Sequence, residues 1–296
     1  SSLTHGYAVG GKIGNPVTQI STIERIDYGN DTASPLVKGP LSSLPLSAGG
    51  QSGASNRNYG YLMGGGDPSK TTVSRIDYSN DNVATTPKGP LDRAAAGAIQ
   101  SAGVGNQNYG YIGGGFQAVS FVDRIDYSND TAIASIRGSL TSVRSDTASS
   151  SARGNALPIV GSTIAEFTNI VTRQYYPTSQ RGYFSGGNPG SISIIQRIDF
   201  ANDTVQATRK GNLAVGRYAG DACSSTDYGY VQGGSPGTSD VLRIDYSNDM
   251  SGAPQRTYLA AATYGRAAVS NKDFGYFAGG SPGFSMKTYV DRIDFG

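Results

Sequence analysis

The sequence predicts an all-β protein assembled from repeated four-stranded antiparallel sheets, on three observations. The string Arg-Ile-Asp-Tyr, or Arg-Ile-Asp-Phe, recurs six times along the 296 residues. An aromatic residue followed by paired glycines precedes every copy. Residues 122–127 alternate, with Val, Arg and Asp on one face and Ile and Tyr on the other, as expected for a β-strand. The six copies begin at Arg25, Arg75, Arg124, Arg197, Arg243 and Arg292.

The aromatic-glycine segment and the Arg-Ile-Asp segment together predict one hairpin in every repeat. The glycine pairs supply backbone conformations that residues with a Cβ rarely adopt, which suits the end of a strand. The hairpins are expected near residues 6–28, 59–78, 109–127, 182–200, 228–246 and 274–295.

Two further strands complete each repeat. A polar turn, such as Ser79-Asn80-Asp81 or Ser128-Asn129-Asp130, follows most hairpins. It suits a tight turn because Asn and Asp side chains bond to nearby backbone N–H groups. A β-prone stretch then leads to a basic residue and Gly-Pro-Leu, most clearly at 38–41 and 88–91, and predicts the fourth strand. A stretch of small residues, such as Ala94 to Ala102, predicts the first strand of the next repeat.

A period near 49 residues with four short strands is typical of a β-propeller, in which each small sheet packs its faces against its neighbours. We therefore expect one propeller domain over residues 1–296. All-β folds often use this many residues in a single domain.

The repeat resembles the kelch repeat, in which a hydrophobic strand ends in Gly-Gly and a later strand ends in Tyr-Asp or a similar pair. It departs from that pattern because the chain has no Trp for the last strand. The segments Tyr-Gly-Tyr-x-Gly-Gly-Gly, Arg-Ile-Asp-Tyr-Ser-Asn-Asp-Thr and Lys-Gly-Pro-Leu are also similar to repeats in virion structural proteins of marine cyanobacterial phages. This resemblance implies a virion or extracellular location, with other virion or scaffold proteins as partners.

The middle of the chain breaks the period, because 73 residues separate Arg124 from Arg197. The favoured interpretation is six regular repeat units plus a degenerate seventh within residues 141–181. It is favoured because Leu157 to Gly161 falls where an aromatic-glycine strand is expected. Six blades with an elaborated loop is the alternative. The chain opens on a second strand near Tyr7 and stops at Phe295. We therefore expect residues 141–181, or additional flanking polypeptide, to help close the ring.

The Arg and Asp of Arg-Ile-Asp are charged residues in strands whose faces adjacent blades should cover. A buried charge persists only where it is paired and hydrogen-bonded. We expect each Arg to pair with the Asp two residues later, as a structural contact between blades. The predicted pairs are Arg25 and Asp27, Arg75 and Asp77, Arg124 and Asp126, Arg197 and Asp199, Arg243 and Asp245, and Arg292 and Asp294.

Composition argues against several functional classes. The formal charge is only +2 and no basic run occurs, so no nucleic-acid partner is expected. No run approaches the ~18 apolar residues of a membrane helix, so we expect no membrane insertion. His5 is the only imidazole and Cys223 the only thiol, which leaves no Ser-His-Asp triad and no multi-His metal site. We expect a non-enzymatic protein without catalytic residues, cofactor or metal.

Recognition is expected on the connections between second and third strands, because their lengths vary and variable loops on a rigid scaffold commonly bind partners. The candidate binding loops carry Lys12, Lys70, Phe116, Phe284 and Lys287. Two functions remain: a structural or host-attachment propeller of a phage particle, and a carbohydrate-binding or protein-interaction propeller outside a virion. A cell-surface glycan is the further expected partner, and a homo-oligomer is compatible with both functions.

Overall fold

The repeats form six separate antiparallel sheets, and the molecule is a six-bladed β-propeller, which confirms the predicted fold class. The structure is a computed structural model. It describes residues 2–13, 18–42, 50–66, 70–93, 98–117, 119–152, 161–166, 169–174, 180–235, 237–281 and 287–296.

Every blade is built on the same hairpin register. In blade 2, Tyr59 faces Asp77 and Tyr61 faces Arg75 across the hairpin. Successive side chains point to opposite faces of a strand, and neighbouring blades cover both faces. This explains why even the polar positions of these strands are largely buried.

The strand bounds follow the repeats. Blade 1 contains β1 (His5–Ile13), β2 (Thr18–Asp27) and β3 (Leu36–Val37). Blade 2 contains β4 (Ser52–Ser55), β5 (Tyr59–Met63), β6 (Val73–Asp77) and β7 (Thr86–Lys88). Blade 3 contains β8 (Ala102–Gly105), β9 (Tyr109–Gly113), β10 (Val122–Asp126) and β11 (Ser135–Ile136). The 3₁₀ turn Tyr127–Asn129 follows β10.

Blade 4 contains β12 (Ala148–Ser151), β15 (Arg181–Ser185), β16 (Ile194–Asp199) and β17 (Thr208–Asn212). Blade 5 contains β18 (Asp221–Ser224), β19 (Tyr228–Gln232), β20 (Asp240–Asp245) and β21 (Gln255–Tyr258). Blade 6 contains β22 (Ala267–Ser270), β23 (Phe274–Ala278) and β24 (Val290–Asp294). No helix among the described residues is long and apolar enough to cross a membrane.

Two of the blades have three strands among the described residues. In blade 1, β1, β2 and β3 take the second, third and fourth positions of the repeat. In blade 6, β22, β23 and β24 take the first, second and third positions. The first-to-second and third-to-fourth turns lie on one face of the ring, which we call the turn face. The other connections lie on the opposite face, the loop face.

The interpretation of residues 141–181 as a degenerate seventh blade was wrong. This segment contains β12, which is the first strand of blade 4, and a hairpin of β13 (Gly161–Glu166) and β14 (Asn169–Gln174). The two hairpin strands form a two-stranded sheet of their own. The extra residues are thus an insertion between the first and second strands of blade 4. The predicted strand at Leu157 to Val160 lies outside the described residues.

An aromatic stack crosses each of the six seams between blades. The second aromatic of each Tyr-Gly-Tyr or related segment lies on the aromatic that ends Arg-Ile-Asp-Tyr/Phe in the next blade. Ring centroids are 4.5–5.3 Å apart. The pairs are Tyr7 with Tyr78, Tyr61 with Tyr127, Tyr111 with Phe200, Tyr183 with Tyr246, Tyr230 with Phe295, and Tyr276 with Tyr28. The last pair joins blade 6 to blade 1 and closes the ring.

The first strands surround the central axis side by side. Small residues are required there because the backbones approach closely: a Cβ on Gly103 would lie 2.4 Å from the carbonyl oxygen of Gly53. Serine hydroxyls join neighbouring strands, as where Ser149 Oγ donates to Gly103 O at 2.7 Å. Of the predicted small-residue stretch Ala94 to Ala102, the last residue belongs to the first strand, which runs from Ala102 to Gly105. Residues 94–97 lie outside the described residues.

Candidate functional site

The Asp of each Asn-Asp turn is the centre of a hydrogen-bonded group between blades, which we call the seam hub. Between blades 2 and 3, Asp130 Oδ2 accepts hydrogen bonds from the Tyr61 hydroxyl at 2.9 Å and from Arg75 Nη1 at 2.8 Å. Its other oxygen, Oδ1, lies 2.9 Å from Lys88 Nζ. One carboxylate of blade 3 therefore binds three side chains of blade 2.

Four other seams repeat the Tyr and Arg contacts of this hub. They are Asp81 with Tyr7 and Arg25, Asp203 with Tyr111 and Arg124, Asp249 with Tyr183 and Arg197, and Asp31 with Tyr276 and Arg292. The seam between blades 5 and 6 contains Tyr230 and Arg243, but no turn aspartate among the described residues. The last of these hubs joins blade 6 to blade 1, so the closing seam uses the same chemistry as the others.

In blades 2, 3, 5 and 6, an aromatic residue at the start of the second strand positions the arginine. The Arg75 guanidinium carbon lies 4.2 Å from the centre of the Tyr59 ring, and Arg124 lies at the same distance from Tyr109. A cation over an aromatic face is attracted by the ring quadrupole. The guanidinium groups of Arg75, Arg124 and Arg292 are therefore held between an aromatic ring of their own blade and the carboxylate of the next.

The pKa values of one hub aspartate and two hub tyrosines lie far from neutral pH. Burial raises the pKa of Asp130, but hydrogen bonds from Lys88 and Tyr61 and the charge of Arg75 outweigh it, and the pKa lies below its usual value. Burial, reinforced by the neighbouring carboxylate, raises the pKa of Tyr183 to about 12. The pKa of Tyr276 is raised to about 12 by burial and its hydrogen bond to Asp31. The hubs are thus suited to joining blades and not to proton transfer near pH 7.

The predicted pairing of each arginine with the Asp two residues later is wrong. Asp77 Oδ1 instead accepts hydrogen bonds from the backbone N and the hydroxyl of Ser79, at 2.9 and 2.7 Å, and so closes the turn after β6. Side chains two residues apart project on the same side of a strand but are separated along it, whereas the turn N–H groups are adjacent. The same backbone contact is made by Asp27, Asp126, Asp199, Asp245 and Asp294. Arg25, Arg124, Arg197 and Arg292 bond to the turn Asp of the next blade.

A second set of arginines, which the sequence analysis missed, lies in the connections that lead from fourth to first strands. Arg93 donates to Asp123 and to the carbonyl oxygens of Gly114 and Ile112. Arg217 and Arg266 bind Asp240 and Asp291 in the same manner. These side chains are almost completely buried and fix each connection to the blade that follows it.

Arg144 belongs to this second set but has no carboxylate partner among the described residues. The corresponding position of blade 4 holds Gln196, and Arg144 donates to Gly186 O and to Ser142 Oγ. Burial lowers the pKa of Arg144 to about 10. The guanidinium remains protonated at neutral pH and is stabilised by carbonyl dipoles.

The axis of the ring contains a cavity of about 250 Å³. It is lined by the five first strands and, where blade 1 has no first strand among the described residues, by Tyr7, Val9, Leu62 and Tyr78. The lining is mostly backbone, small side chains and tyrosine, and it contains no cluster of catalytic groups. Arg57 is the charged residue of the lining. Asp221 lies in β18 beside the axis, and burial raises its pKa to about 7.

The structure separates the predicted loop residues. Lys12 lies within β1, paired with Gln19 of β2, so it belongs to a strand and not to a loop. The backbone N of Lys70 donates to Gly65 O, and the backbone N of Lys287 donates to Gly280 O, both at 2.9 Å. Phe284 lies outside the described residues. Phe116 is the member of the set that projects a large apolar side chain from the loop face.

Phe121 ends the same connection as Phe116, and both side chains are nearly half exposed, at 44% and 49%. Val143, in the adjoining connection of blade 3, is also exposed. The backbone beneath is fixed, because Phe116 N donates to Ile99 O at 2.7 Å and Gly114 N donates to Phe121 O at 3.1 Å. The two rings therefore stand on an ordered part of the loop face, and we call them the phenylalanine pair.

The described residues contain no group of three His, Cys, Asp or Glu side chains that could hold a metal ion. His5 is the first residue of β1 and lies at the turn face, where burial and the charge of Arg25 lower its pKa. Its Nδ1 lies 2.8 Å from the Thr4 hydroxyl, and His5 faces Asp27 across the strand pair.

Comparison with known proteins does not identify a relative. No family model matches the chain, and no curated protein shows significant similarity to it.

Proposed function

We propose that the protein is a non-enzymatic propeller that serves as a rigid interaction scaffold, as a structural or host-attachment component of a phage particle. The observation that carries this proposal is the phenylalanine pair on the loop face. Exposed aromatic side chains on an ordered backbone bind partners at a low entropic cost, and aromatic residues are enriched among the residues that dominate binding energy.

The use of the carboxylates supports a non-enzymatic role. Glycoside hydrolysis, the carboxylate-only chemistry open to such a chain, needs two acidic groups facing one substrate cavity. Here the turn aspartates bind Tyr and Arg in the seams, and the aspartates of Arg-Ile-Asp close turns. These two sets of aspartates are thus committed to holding the scaffold together.

The location on a phage particle rests on the repeat itself. Its recurring segments are similar to those of virion structural proteins of marine cyanobacterial phages, and the glycine-ended second strand is the kelch-like feature. A ring stabilised by six aromatic stacks suits a component that must persist outside a cell. Other virion or scaffold proteins are then the partners of one face of the ring.

The proposal is tested by locating the protein and then by removing the phenylalanine pair. An antibody against the chain should label purified cyanophage particles, and fluorescently labelled chain should bind whole cyanobacterial cells. The double variant Phe116→Ser/Phe121→Ser should lose most cell binding while its unfolding curve is unchanged. The control Val83→Ser/Val205→Ser removes exposed apolar side chains from the third-to-fourth turns instead. Equal binding by both variants would reject the loop face as the binding surface.

Carbohydrate binding is the second candidate, and the same exposed rings favour it, because the apolar faces of sugar rings pack against aromatic side chains. A glycan array probed with the chain and with the Phe116→Ser/Phe121→Ser variant distinguishes the two. Signals that disappear in the variant indicate a lectin-like role. A blank array beside retained cell binding indicates a protein receptor.

A further inference from the structure

The inner edge of β1 lacks the strand that other blades have there. In blades 2 to 6 the first strand pairs with the second, as where Ser52 to Ser55 pair with Gly60 to Met63. In blade 1, β1 occupies the second position, and no strand among the described residues pairs with its inner edge. The axial cavity reaches this edge at Tyr7 and Val9.

Glu24 marks a second vacancy in the same blade. It faces Ala8 in the register of blade 1, as Asp123 faces Ile112 in blade 3. Asp123 is fully buried beneath Arg93, whereas Glu24 is exposed and has no cationic partner among the described residues. In other blades the arginine that covers this acid lies in the connection that leads into the first strand of the same blade. Blade 1 has no such strand among the described residues.

Asp31 marks a third vacancy, at the outer edge of blade 6. In the other hubs a basic residue of the preceding fourth strand approaches the second carboxylate oxygen: Lys38, Lys88, Arg137 and Lys210. No such cation approaches Asp31 among the described residues, and β24 has no fourth strand beside it there. The Arg292 side chain is consequently 51% exposed, against 19–24% for its counterparts.

The three vacancies correspond to consecutive parts of one repeat. They are the basic residue of a fourth strand, the arginine of the connection, and the first strand of small residues. In the chain itself Arg137, Arg144 and β12 supply these parts in that order. One polypeptide segment could therefore fill all three.

We propose that β24, Asp31, Glu24 and the inner edge of β1 form an acceptor site for one extended polypeptide segment carrying this repeat pattern. The segment adds a fourth strand to blade 6 and a first strand to blade 1. Main-chain hydrogen bonds to the two open edges provide the affinity, as in other cases of strand addition. Its two basic residues pair with Asp31 and Glu24 and set the register.

The repeat pattern identifies the occupant as an unpaired segment and not a second folded copy. Arg137, Arg144 and β12 are already engaged within their own ring, so a folded copy does not offer them. Small residues are needed at the axis because the neighbouring first strands leave room for little more than backbone. The proposal does not depend on the proposed function, since it concerns the closing seam alone.

The test uses the full chain and a synthetic peptide with the sequence of residues 134–151. Calorimetric titration should show one peptide bound per chain, and the thermal midpoint should rise with peptide concentration. Glu24→Gln should weaken binding by about fivefold to tenfold, as should Gln in place of Arg144 in the peptide, because either change removes a charge-assisted hydrogen bond. The two changes together should weaken binding no further.

Asp273→Asn is the matched control in the chain, because Asp273 is an exposed acid on the turn face. It should leave peptide affinity unchanged, and a peptide of scrambled sequence should not bind. Absence of binding by the native peptide would overturn the proposal, as would equal effects of Glu24→Gln and Asp273→Asn. A chain that self-associates through β1 and resists the peptide would identify a second copy as the occupant and also overturn it.

A cross-link tests the register. Ser149 faces Phe184 in blade 4, and Ala8 occupies the place of Phe184 in blade 1. Ala8→Cys in the chain should therefore form a disulfide with a peptide that has Cys in place of Ser149. A peptide with Cys in place of Ser135 should not form it. Equal yields would show that the peptide binds in another register or at another place.

Discussion

Arg75 and Asp130 lie 55 residues apart in the chain and are joined by a hydrogen bond of 2.8 Å across the seam between blades 2 and 3. The same carboxylate oxygen accepts the hydroxyl of Tyr61, whose ring stacks on Tyr127 of blade 3. Each blade is too small to bury its own apolar surface, as in other repeat proteins. The seams are therefore where the ring gains its stability, and they combine apolar stacking with one ionic centre.

Removal of a turn aspartate should destabilise the ring more than removal of the aspartate two residues after the arginine. Asp130→Asn leaves Arg75 and Lys88 without their anion. We expect a loss of about 2–3 kcal/mol, below the range for fully buried pairs because Arg75 keeps partial contact with water. Asp77→Asn should cost less than about 1 kcal/mol, since Asn also closes such turns. Urea unfolding of both variants measures the difference, and equal losses would contradict the assignment of partners.

Tyr246 and Tyr127 occupy equivalent positions in blades 5 and 3, but removal of the hydroxyl should change the stability of the protein differently at the two positions. Tyr246 donates to Ser224 Oγ at 3.2 Å, whereas the Tyr127 hydroxyl is buried without a hydrogen-bond partner among the described residues. Gly105 stands in blade 3 where Ser224 stands in blade 5. Tyr246→Phe should therefore lose about 1 kcal/mol, and Tyr127→Phe should lose nothing or gain stability.

Thermal unfolding of the two tyrosine variants checks this expectation. Phe is compatible with the site, because Phe200 and Phe295 occupy the same position in blades 4 and 6. A larger loss for Tyr127→Phe than for Tyr246→Phe would show that the Tyr127 hydroxyl has a partner after all.

The glycine after the basic residue of the fourth strand should not tolerate a side chain. Gly89 N donates to Asp130 O at 2.9 Å, and a Cβ on Gly89 would lie 1.9 Å from Ala132 O. Gly89→Ala must displace the turn of blade 3, and we expect a loss of about 3 kcal/mol. In Gly252→Ala the nearest atom is 3.5 Å away, so chemical denaturation should show little change. Similar stabilities for the two variants would exclude this close contact between blades.

Asp221 should make the ring less stable as the pH rises. Burial raises its pKa to about 7 in the folded protein, above the usual value near 4 in the unfolded chain. A raised folded-state pKa contributes stability that is complete below about pH 4 and is lost as the pH rises through 7. Asp221→Asn removes this dependence, so the stability of the variant relative to the native chain should increase between pH 4 and pH 8.

Unfolding of the native and Asp221→Asn chains at several pH values measures that difference, with Asp273→Asn as the exposed control. One pKa unit corresponds to about 1.4 kcal/mol, so the relative gain should reach at least that size by pH 8. A difference that stays constant with pH would show that the pKa of Asp221 is the same in the folded ring as in the unfolded chain.

The propeller was predictable because period and alternation are properties of the sequence alone. Tyr61 and Arg75 recur in every repeat in the same register, so their strands could be assigned without knowing their neighbours. The partner of Arg75 was not predictable in this way. Spacing along one strand suggested Asp77, whereas packing of one blade on the next selects Asp130.

The second set of arginines escaped the sequence analysis because their spacing is irregular. Arg93 follows Lys88 closely, whereas Arg266 follows Arg256 at twice that separation, and Gln196 replaces the acid opposite Arg144. The signal that could have found them is an arginine within each small-residue stretch. The β13–β14 insertion was likewise ambiguous, because a hairpin and a decayed blade both consist of alternating strands.

The most direct test of the central claim, that each blade is bound to the next through its turn aspartate, is a pair of double-mutant cycles on Arg124. The first combines Arg124→Met with Asp203→Asn, whose native side chains are 2.8 Å apart across the seam between blades 3 and 4. The second combines Arg124→Met with Asp126→Asn, two residues away in the same strand. We expect a coupling energy of about 1.5 kcal/mol or more in the first cycle and close to zero in the second. Coupling confined to the second cycle would contradict it.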